Sequence, residues 1–192
     1  MDDLVPGREC GDCKVCCIVV PIDEPDMQKQ PGALCRHRSA RGCEIYDTRP
    51  SACRTYFCGW RRLAFLDDDW RPDKSGLLIE SGTATTVGPG SAVLTLVGNP
   101  LKTIRQQRFL DFVSGNIARN VTLWLGLPGP CGMAKAALPL NTPEIKSAAA
   151  RSRSDLRLAL EEVLRRLSGH AFVPYVLERG GNDAGLTPSP RE

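Results

Sequence analysis

The sequence predicts an α+β protein: a small cysteine-rich N-terminal module organised by metal, joined to a mixed α/β body with two main helices and a small sheet. Eight of the nine cysteines lie between residues 10 and 58 of the 192-residue chain. Apolar runs typical of strands and helices begin only after residue 63. A hydrophobic content of 42% and a charged content of 24% are those of a globular protein.

The chain divides into three stretches at the sequence level. Residues 1–62 hold the cysteines, several turn signals and little regular periodicity, and a bound metal can replace part of a missing apolar core. We therefore predict a cysteine-cluster metal-chelating module over 1–62 and an α/β body over 63–179. The polar, glycine-rich stretch 180–192 is predicted to be a disordered tail.

The first ten residues and the hydropathy pattern bear on the cellular compartment. No apolar run approaches the roughly 20 residues that span a bilayer, and the start of the chain has no secretory pattern. These features predict a cytoplasmic protein with no membrane partner. In a reducing compartment, clustered cysteines indicate metal or redox chemistry rather than structural disulfides.

The net charge of +3 is small, but arginines are dense beside the cysteines. One interpretation is a nucleic-acid footprint. The other is compensation of the negative charge that thiolate ligands carry around a metal. No stacked aromatic pattern accompanies these arginines, so compensation is favoured and nucleic acid is not favoured as a partner. The arginines are Arg36, Arg38, Arg41, Arg49, Arg54, Arg61 and Arg62.

Four strands and two long helices are predicted in the body. Short apolar runs at 76–81, 92–97, 121–127 and 132–139 predict the strands. Asn99 and Thr142, each followed by proline, predict the N-caps of helices over 100–119 and 143–168. The apolar stripes of both helices indicate packing surfaces.

The first cysteine tract, "CGDCKVCC", brings four thiols into eight positions. If the tract were helical, Cys10, Cys13, Cys16 and Cys17 would fall within an arc of about 120° and face a common point. The adjacent thiols of Cys16 and Cys17 diverge too far to chelate one small ion. The pair therefore indicates two metals, or two irons of one cluster.

The second group of cysteines is more widely spaced. Cys35 and Cys43 flank a tight turn, and Pro50 is predicted to start a short helix that brings Cys53 towards the first tract; Cys58 completes the group. Eight cysteines make two sets of four. That number suits two tetrathiolate zinc sites, or one iron–sulfur cluster with a zinc site beside it.

Two motifs resemble a known family. The chain matches C-x-x-C-x-x-C-C at residues 10–17 and C-x-I-Y-x-x-R-P-x-x-C-R-x-[FY]-x-C at residues 43–58. Together they are similar to the YkgJ-like cysteine-cluster family, a zinc- or iron-chelating domain. The resemblance covers about a quarter of the chain. It implies metal chelation by Cys10, Cys13, Cys16, Cys17, Cys35, Cys43, Cys53 and Cys58.

Flagellin lysine methylases carry a similar domain, and an iron–sulfur cluster is associated with their methyl transfer. This resemblance favours an iron–sulfur cluster slightly over zinc as the cofactor. Methylase activity is not carried over, because this chain is short and shows no second domain that matches those enzymes.

Several motif residues without thiols also belong to the prediction. Tyr46, Arg49, Pro50 and Arg54 are expected to support the metal site, with a pocket for an anionic substrate as the alternative. His37, near Cys35, could substitute as a ligand, but with eight thiols available it is expected to be an ordinary exposed histidine. Cys131, outside both motifs, is expected to be a small buried residue and not a ligand.

Three functions are compatible with these observations. The first is a metal-binding protein whose α/β body is a scaffold or a surface for a protein partner. The second is an iron–sulfur-dependent redox or group-transfer enzyme, although the sequence shows no convincing nucleophile and base. The third is a metallochaperone or metal store, which would not need the packed body that the apolar pattern predicts.

Overall fold

The computed structural model describes residues 4–40, 42–82, 87–88 and 90–178. Within these residues the chain is a mixed α/β protein with a four-stranded sheet, two small hairpins and several helices. The predicted tail at 180–192 lies outside the described residues. None of the described helices is long and apolar enough to cross a membrane.

The cysteine-rich part of the chain is built from short elements. After helix α1 (Val15–Val19), strands β1 (Ile22–Glu24) and β2 (Met27–Lys29) form one hairpin. Strands β3 (Arg38–Ser39) and β4 (Gly42–Cys43) form a second. Helices α2 (Ser51–Thr55), α3 (Gly59–Arg62) and α4 (Pro72–Ser75) follow. The predicted short helix after Pro50 is confirmed as α2, with Pro50 at its N-cap.

Four strands form the main sheet, close to where the sequence predicts them. They are β5 (Leu77–Ser81), β6 (Ser91–Leu96), β7 (Thr122–Leu127) and β8 (Ala136–Pro139), in the spatial order β5-β6-β7-β8. The β5–β6 and β7–β8 pairs are antiparallel, whereas β6 and β7 are parallel. Parallel neighbours need a crossover connection, and two helices supply it here.

Each of the two predicted long helices is broken in two. The first consists of α5 (Pro100–Ile104) and α6 (Gln107–Ala118), and the second of α7 (Pro143–Arg151) and α8 (Arg153–Ser168). Asn99 and Thr142 do cap the first member of each pair: Asn99 accepts from the Lys102 amide at 3.0 Å, and Thr142 accepts from the Ile145 amide at 3.4 Å. The description with two main helices is therefore too coarse.

The second break has a local physical cause. Ser152 has extended backbone angles, and its hydroxyl accepts a hydrogen bond from the Asp155 amide at 3.0 Å. A serine followed three residues later by an acidic residue is a helix-start pattern, so Ser152 ends α7 and caps α8. This signal is present in the sequence.

The main core lies between one face of the sheet and the helices. Leu94, Leu123 and Leu125 from the sheet and Leu160 from α8 are fully buried there. Successive strand residues point to opposite faces, so Glu80, Val93 and their neighbours face the other way.

The cysteine-rich part packs close to this second face. One cavity is lined jointly by Val20 and Pro21 from the N-terminal part and by Glu80, Val93 and Lys135 from the body. Part of the cysteine-rich region therefore lies on the face of the sheet opposite the helical core, whereas Cys58 and α3 pack against that core.

Candidate metal centre

Seven of the eight predicted ligands line one cavity of about 210 Å³. His37, Tyr46, Arg49, Pro50 and Tyr56 complete part of its wall. The eighth cysteine, Cys58, does not line this cavity and packs against the main core instead. All nine cysteines are free thiols. The seven are Cys10, Cys13, Cys16, Cys17, Cys35, Cys43 and Cys53.

The first cysteine tract is not one helix. Cys10 and Cys13 lie in a turn before α1, in which the Cys13 amide donates to the Cys10 carbonyl at 2.9 Å. Gly11 takes a left-handed conformation in that turn, with φ of 52°. The condition of a helical tract is met only by Cys16 and Cys17, because a turn, and not a helix, presents the first two thiols.

The later cysteines reach the cavity through separate elements. The Cys35 amide donates to the Cys17 carbonyl at 3.2 Å, which ties the loop before β3 to α1. Cys43 ends β4, and Cys53 lies on α2. Gly42 allows β4 to approach closely, since a Cβ atom there would lie 3.0 Å from the Gly11 carbonyl oxygen.

The thiols fall into two groups by their electrostatic neighbours. The charges of Cys17 and Cys35 raise the pKa values of Cys43 and Cys53, and Cys43 also raises that of Cys53. We call these four residues the second thiol group. Packing agrees, because Cys17, Cys35 and Cys53 share a small apolar cluster.

The first thiol group consists of the remaining four cysteines. The charges of Cys10 and Cys13 raise the pKa of Cys16, and the charge of Cys10 raises the pKa of Cys58. The two groups adjoin at the neighbouring residues Cys16 and Cys17. The adjacent pair that the sequence analysis singled out is therefore where the two groups meet. The first thiol group is Cys10, Cys13, Cys16 and Cys58.

Cys16 and Cys17 share a hydrogen bond between their side chains, and it shifts their pKa values in opposite directions. It raises the pKa of Cys16, and burial raises it further. The same hydrogen bond lowers the pKa of Cys17, and the cationic side chains of Lys29, Arg38 and Arg49 add to the effect. Cys17 is thus the member of the pair that becomes a thiolate first.

Burial also raises the pKa values of four other thiols. It raises the pKa of Cys13 to about 11. It also raises the pKa values of Cys43, Cys53 and Cys58. Metal ligation requires thiolates, so a metal that binds here must displace these protons.

Lys29 is a buried cation beside the second thiol group, and the sequence analysis missed it. Only 6% of its surface is exposed. Its ammonium group donates to the carbonyls of Ile18, Gln30 and Ala33 at 3.1, 3.3 and 3.3 Å. Burial lowers the pKa of Lys29, while the neighbouring Cys35 and other thiols oppose that shift. Nothing in the sequence indicates that Lys29 is buried, because a lysine at a hairpin end is usually solvated.

Two further polar groups near the thiols are also buried. Arg38 Nε and the Tyr56 hydroxyl have no hydrogen-bond partner among the described residues. Arg38 lowers the pKa of Cys17, and the charges of Cys16 and Cys58 raise the pKa of Tyr56. Buried donors normally have a partner, so each is positioned to donate to an electron-rich group such as a bound thiolate.

The remaining predicted residues have mixed outcomes. Arg49 lies over the Tyr46 ring at 3.8 Å and donates from Nε to the Tyr46 carbonyl at 2.8 Å, so both belong to the cavity wall. Arg54 is exposed. His37 is half-buried and lines the cavity, so the expectation of an ordinary exposed histidine is wrong. Cys131 is exposed, and the expectation of a buried residue is wrong as well.

The chemistry of this donor set suits a metal that prefers sulfur. Thiolates are soft ligands that select zinc and iron–sulfur clusters, and the nearby cations would offset the negative charge of the ligated centre. Among the described residues, however, no three or more His, Cys, Asp or Glu side chains converge closely enough to hold a metal ion. The thiols surround a space instead of meeting at one point.

Comparisons with protein families, with characterised proteins and with solved structures find no match to this chain.

Proposed function

We propose that this protein is a metal-binding protein whose eight N-terminal cysteines hold zinc or an iron–sulfur cluster. The single observation that carries the proposal is the cavity that seven of these cysteines line together. Free thiols rarely gather in such number without a ligand or redox role. The resemblance of both motifs to the YkgJ-like cysteine-cluster family supports the same function.

The two thiol groups refine the proposal to two centres. The first would use Cys10, Cys13, Cys16 and Cys58, and the second would use Cys17, Cys35, Cys43 and Cys53. Four thiolates complete a tetrahedral zinc site or ligate one iron–sulfur cluster. Two zinc sites, or one cluster and one zinc site, both fit this division.

Buried positive charge supports a negatively charged centre in the second group. A lone ammonium in an apolar environment is costly, and the described residues place no carboxylate within ion-pair distance of Lys29. Thiolates ligating a metal would provide the missing negative charge. The buried Arg38 Nε, which has no hydrogen-bond partner among the described residues, could donate to the same thiolates.

Metal and sulfide analysis of protein purified without oxygen tests the proposal. An iron–sulfur cluster would give broad visible absorption together with stoichiometric iron and acid-labile sulfide, whereas zinc would leave the protein colourless. Protein that contains neither iron nor zinc after such purification, and takes up neither on reconstitution, would contradict metal binding.

Serine variants test the two-centre arrangement, since a hydroxyl is a poor substitute for a soft thiolate. We expect Cys13→Ser and Cys53→Ser each to lose the metal of one centre and keep that of the other, and the double variant to lose nearly all of its metal. Cys131→Ser is the matched control and should keep its full metal content. Complete loss in either single variant would indicate one shared centre instead.

A further inference from the structure

A large groove lies outside the cysteine cavity, at the end of the sheet where β5 finishes and β7 begins. Its volume is about 670 Å³, which is within the range of pockets that hold small organic molecules. Its walls come from α3, from the strands and from one side of α6. The apolar wall residues include Leu63, Phe65, Ile79, Phe112 and Leu123.

Aromatic side chains form one wall of this groove. The Phe65 and Phe112 rings are stacked with centroids 6.4 Å apart, and Trp70 packs on Phe112 at 5.1 Å. Phe65 is nonetheless 67% exposed. A large aromatic side chain left in water on the rim of a concave apolar site is typical of a ligand-binding surface.

Two arginines are among the polar groups of the groove. Arg62 and Arg119 both line it. Arg119 donates to the side-chain oxygen of Asn116 at 3.3 Å, and Asn116 is itself buried and donates to the Phe112 carbonyl at 2.8 Å. The neutral Asn116 therefore orients the Arg119 guanidinium without cancelling its charge.

Glu80 also lines the groove, but its side chain lies on the other face of the sheet and its charge is balanced there. Glu80 accepts hydrogen bonds from Lys135 at 2.5 Å and from Thr95 at 2.7 Å, and its side chain is 12% exposed. The carboxylate of Glu80 is therefore already paired and does not balance the charge of Arg119.

We infer that this groove binds one small amphipathic carboxylate. The apolar body of the ligand packs against Phe65 and Phe112, and its carboxylate accepts hydrogen bonds from Arg119. Arginine matches a carboxylate in both charge and planar geometry. A cationic ligand would face the Arg119 guanidinium, and a neutral one would leave Arg119 without a charged partner.

Calorimetric titration of the full-length protein with decanoate tests this inference, and decan-1-ol serves as the uncharged comparison of the same chain length. We expect one decanoate per chain and binding of decanol that is about tenfold weaker. Failure to bind decanoate, or equal affinity for the two molecules, would overturn the inference.

Variants locate the bound carboxylate. Arg119→Gln should weaken decanoate binding about tenfold while leaving decanol binding unchanged, because only the charged head contacts that residue. Phe65→Ser should weaken both ligands about threefold to tenfold through lost apolar contact. Arg166→Gln, which removes an exposed arginine of α8 outside the groove, is the matched control and should change neither. Equal effects of Arg119→Gln and Arg166→Gln on decanoate would show that the groove is not the site.

Discussion

Lys29 is the residue whose environment most depends on the state of the thiols around it. Its ammonium group is buried and is held by three backbone carbonyls. Carbonyl dipoles satisfy its hydrogen-bonding protons but do not neutralise its charge. If the second thiol group ligates a metal as thiolates, Lys29 neighbours a negative centre; if the thiols are protonated, it has no such partner.

Replacing Lys29 by methionine should therefore have opposite effects in the two states. In metal-free protein, Lys29→Met removes a buried charge and should leave the free energy of unfolding unchanged or higher. In metal-loaded protein, the same change should lower it by about 1.5 to 3 kcal/mol, the size of a charged hydrogen bond, and speed metal loss to a chelator. Urea unfolding with and without chelator measures both effects.

An exposed lysine provides the comparison for this variant. Lys102 lies on α5, away from the cysteines, so Lys102→Met should change neither unfolding nor metal release. Equal destabilisation of the metal-free and metal-loaded Lys29→Met proteins would contradict a negative centre beside Lys29.

Helix α3 is the element that connects the cysteine-rich part to the sheet. It begins directly after Cys58, and its first residue, Gly59, lies against Ile79 of β5. A Cβ atom on Gly59 would be 2.7 Å from Ile79 Cγ2, so this glycine is required by close approach. The contact determines where Cys58 stands relative to the rest of the first thiol group.

A methyl group at Gly59 should therefore disturb both the packing and the metal site. We expect Gly59→Ala to lower the free energy of unfolding by about 1 to 3 kcal/mol, because overpacking forces the backbone to shift. We also expect it to weaken metal retention by the first thiol group, measured as metal content after a fixed exposure to chelator.

The matched control is a glycine with open space around it. Gly115 lies inside α6, and a Cβ atom there would meet nothing within 4 Å. Gly115→Ala should raise the free energy of unfolding by about 0.5 to 1 kcal/mol through helix propensity and leave metal content unchanged. A stabilised Gly59→Ala protein with full metal content would show that the α3 contact is unimportant.

For the molecule as a whole, the thiols couple stability to pH. Burial raises the pKa of Cys13 from 9.0 to about 11, and it raises the pKa values of Cys43, Cys53 and Cys58 in the same direction. Above pH 9 the unfolded chain therefore releases protons that the folded metal-free chain retains. Fewer protons bound in the unfolded state mean that stability falls as pH rises.

We thus expect the free energy of unfolding of metal-free protein to fall between about pH 9 and about pH 11. Cys17 does not offset this fall. Its pKa is lowered from 9.0 to about 6, so its contribution to stability rises between these pH values and is constant above pH 9. Metal-loaded protein should lack the thiol-dependent part of the fall, since its ligands carry no protons.

Urea unfolding at several pH values, with and without chelator, measures the difference. Cys13→Ser should reduce the fall in metal-free protein, because it removes the thiol whose pKa is raised to about 11. An identical fall in the metal-free and metal-loaded proteins would rule out ligation by these thiols.

Much of the body can be predicted from local sequence. Alternating or continuous apolar runs locate β5 to β8 within a few residues, and Asn99 and Thr142 locate two helix starts, because capping and strand burial depend on near neighbours in the chain. The break at Ser152 also had a local signal. By contrast, Gln106, the N-cap residue before α6, forms no side-chain cap, so nothing local marks the first break.

The sequence by itself determined which thiols are available: eight cysteines in two tracts, with Cys16 and Cys17 adjacent. The division of these thiols into two groups was decided by tertiary structure. Cys58 neighbours Cys10 only because α3 packs on β5, and Cys35 joins Cys17 only through a contact between distant segments. Burial of Lys29 and the groove beside Phe112 likewise arise from elements far apart in sequence. Spacing specifies neighbours along a chain, whereas grouping, burial and concave surfaces depend on how whole elements pack.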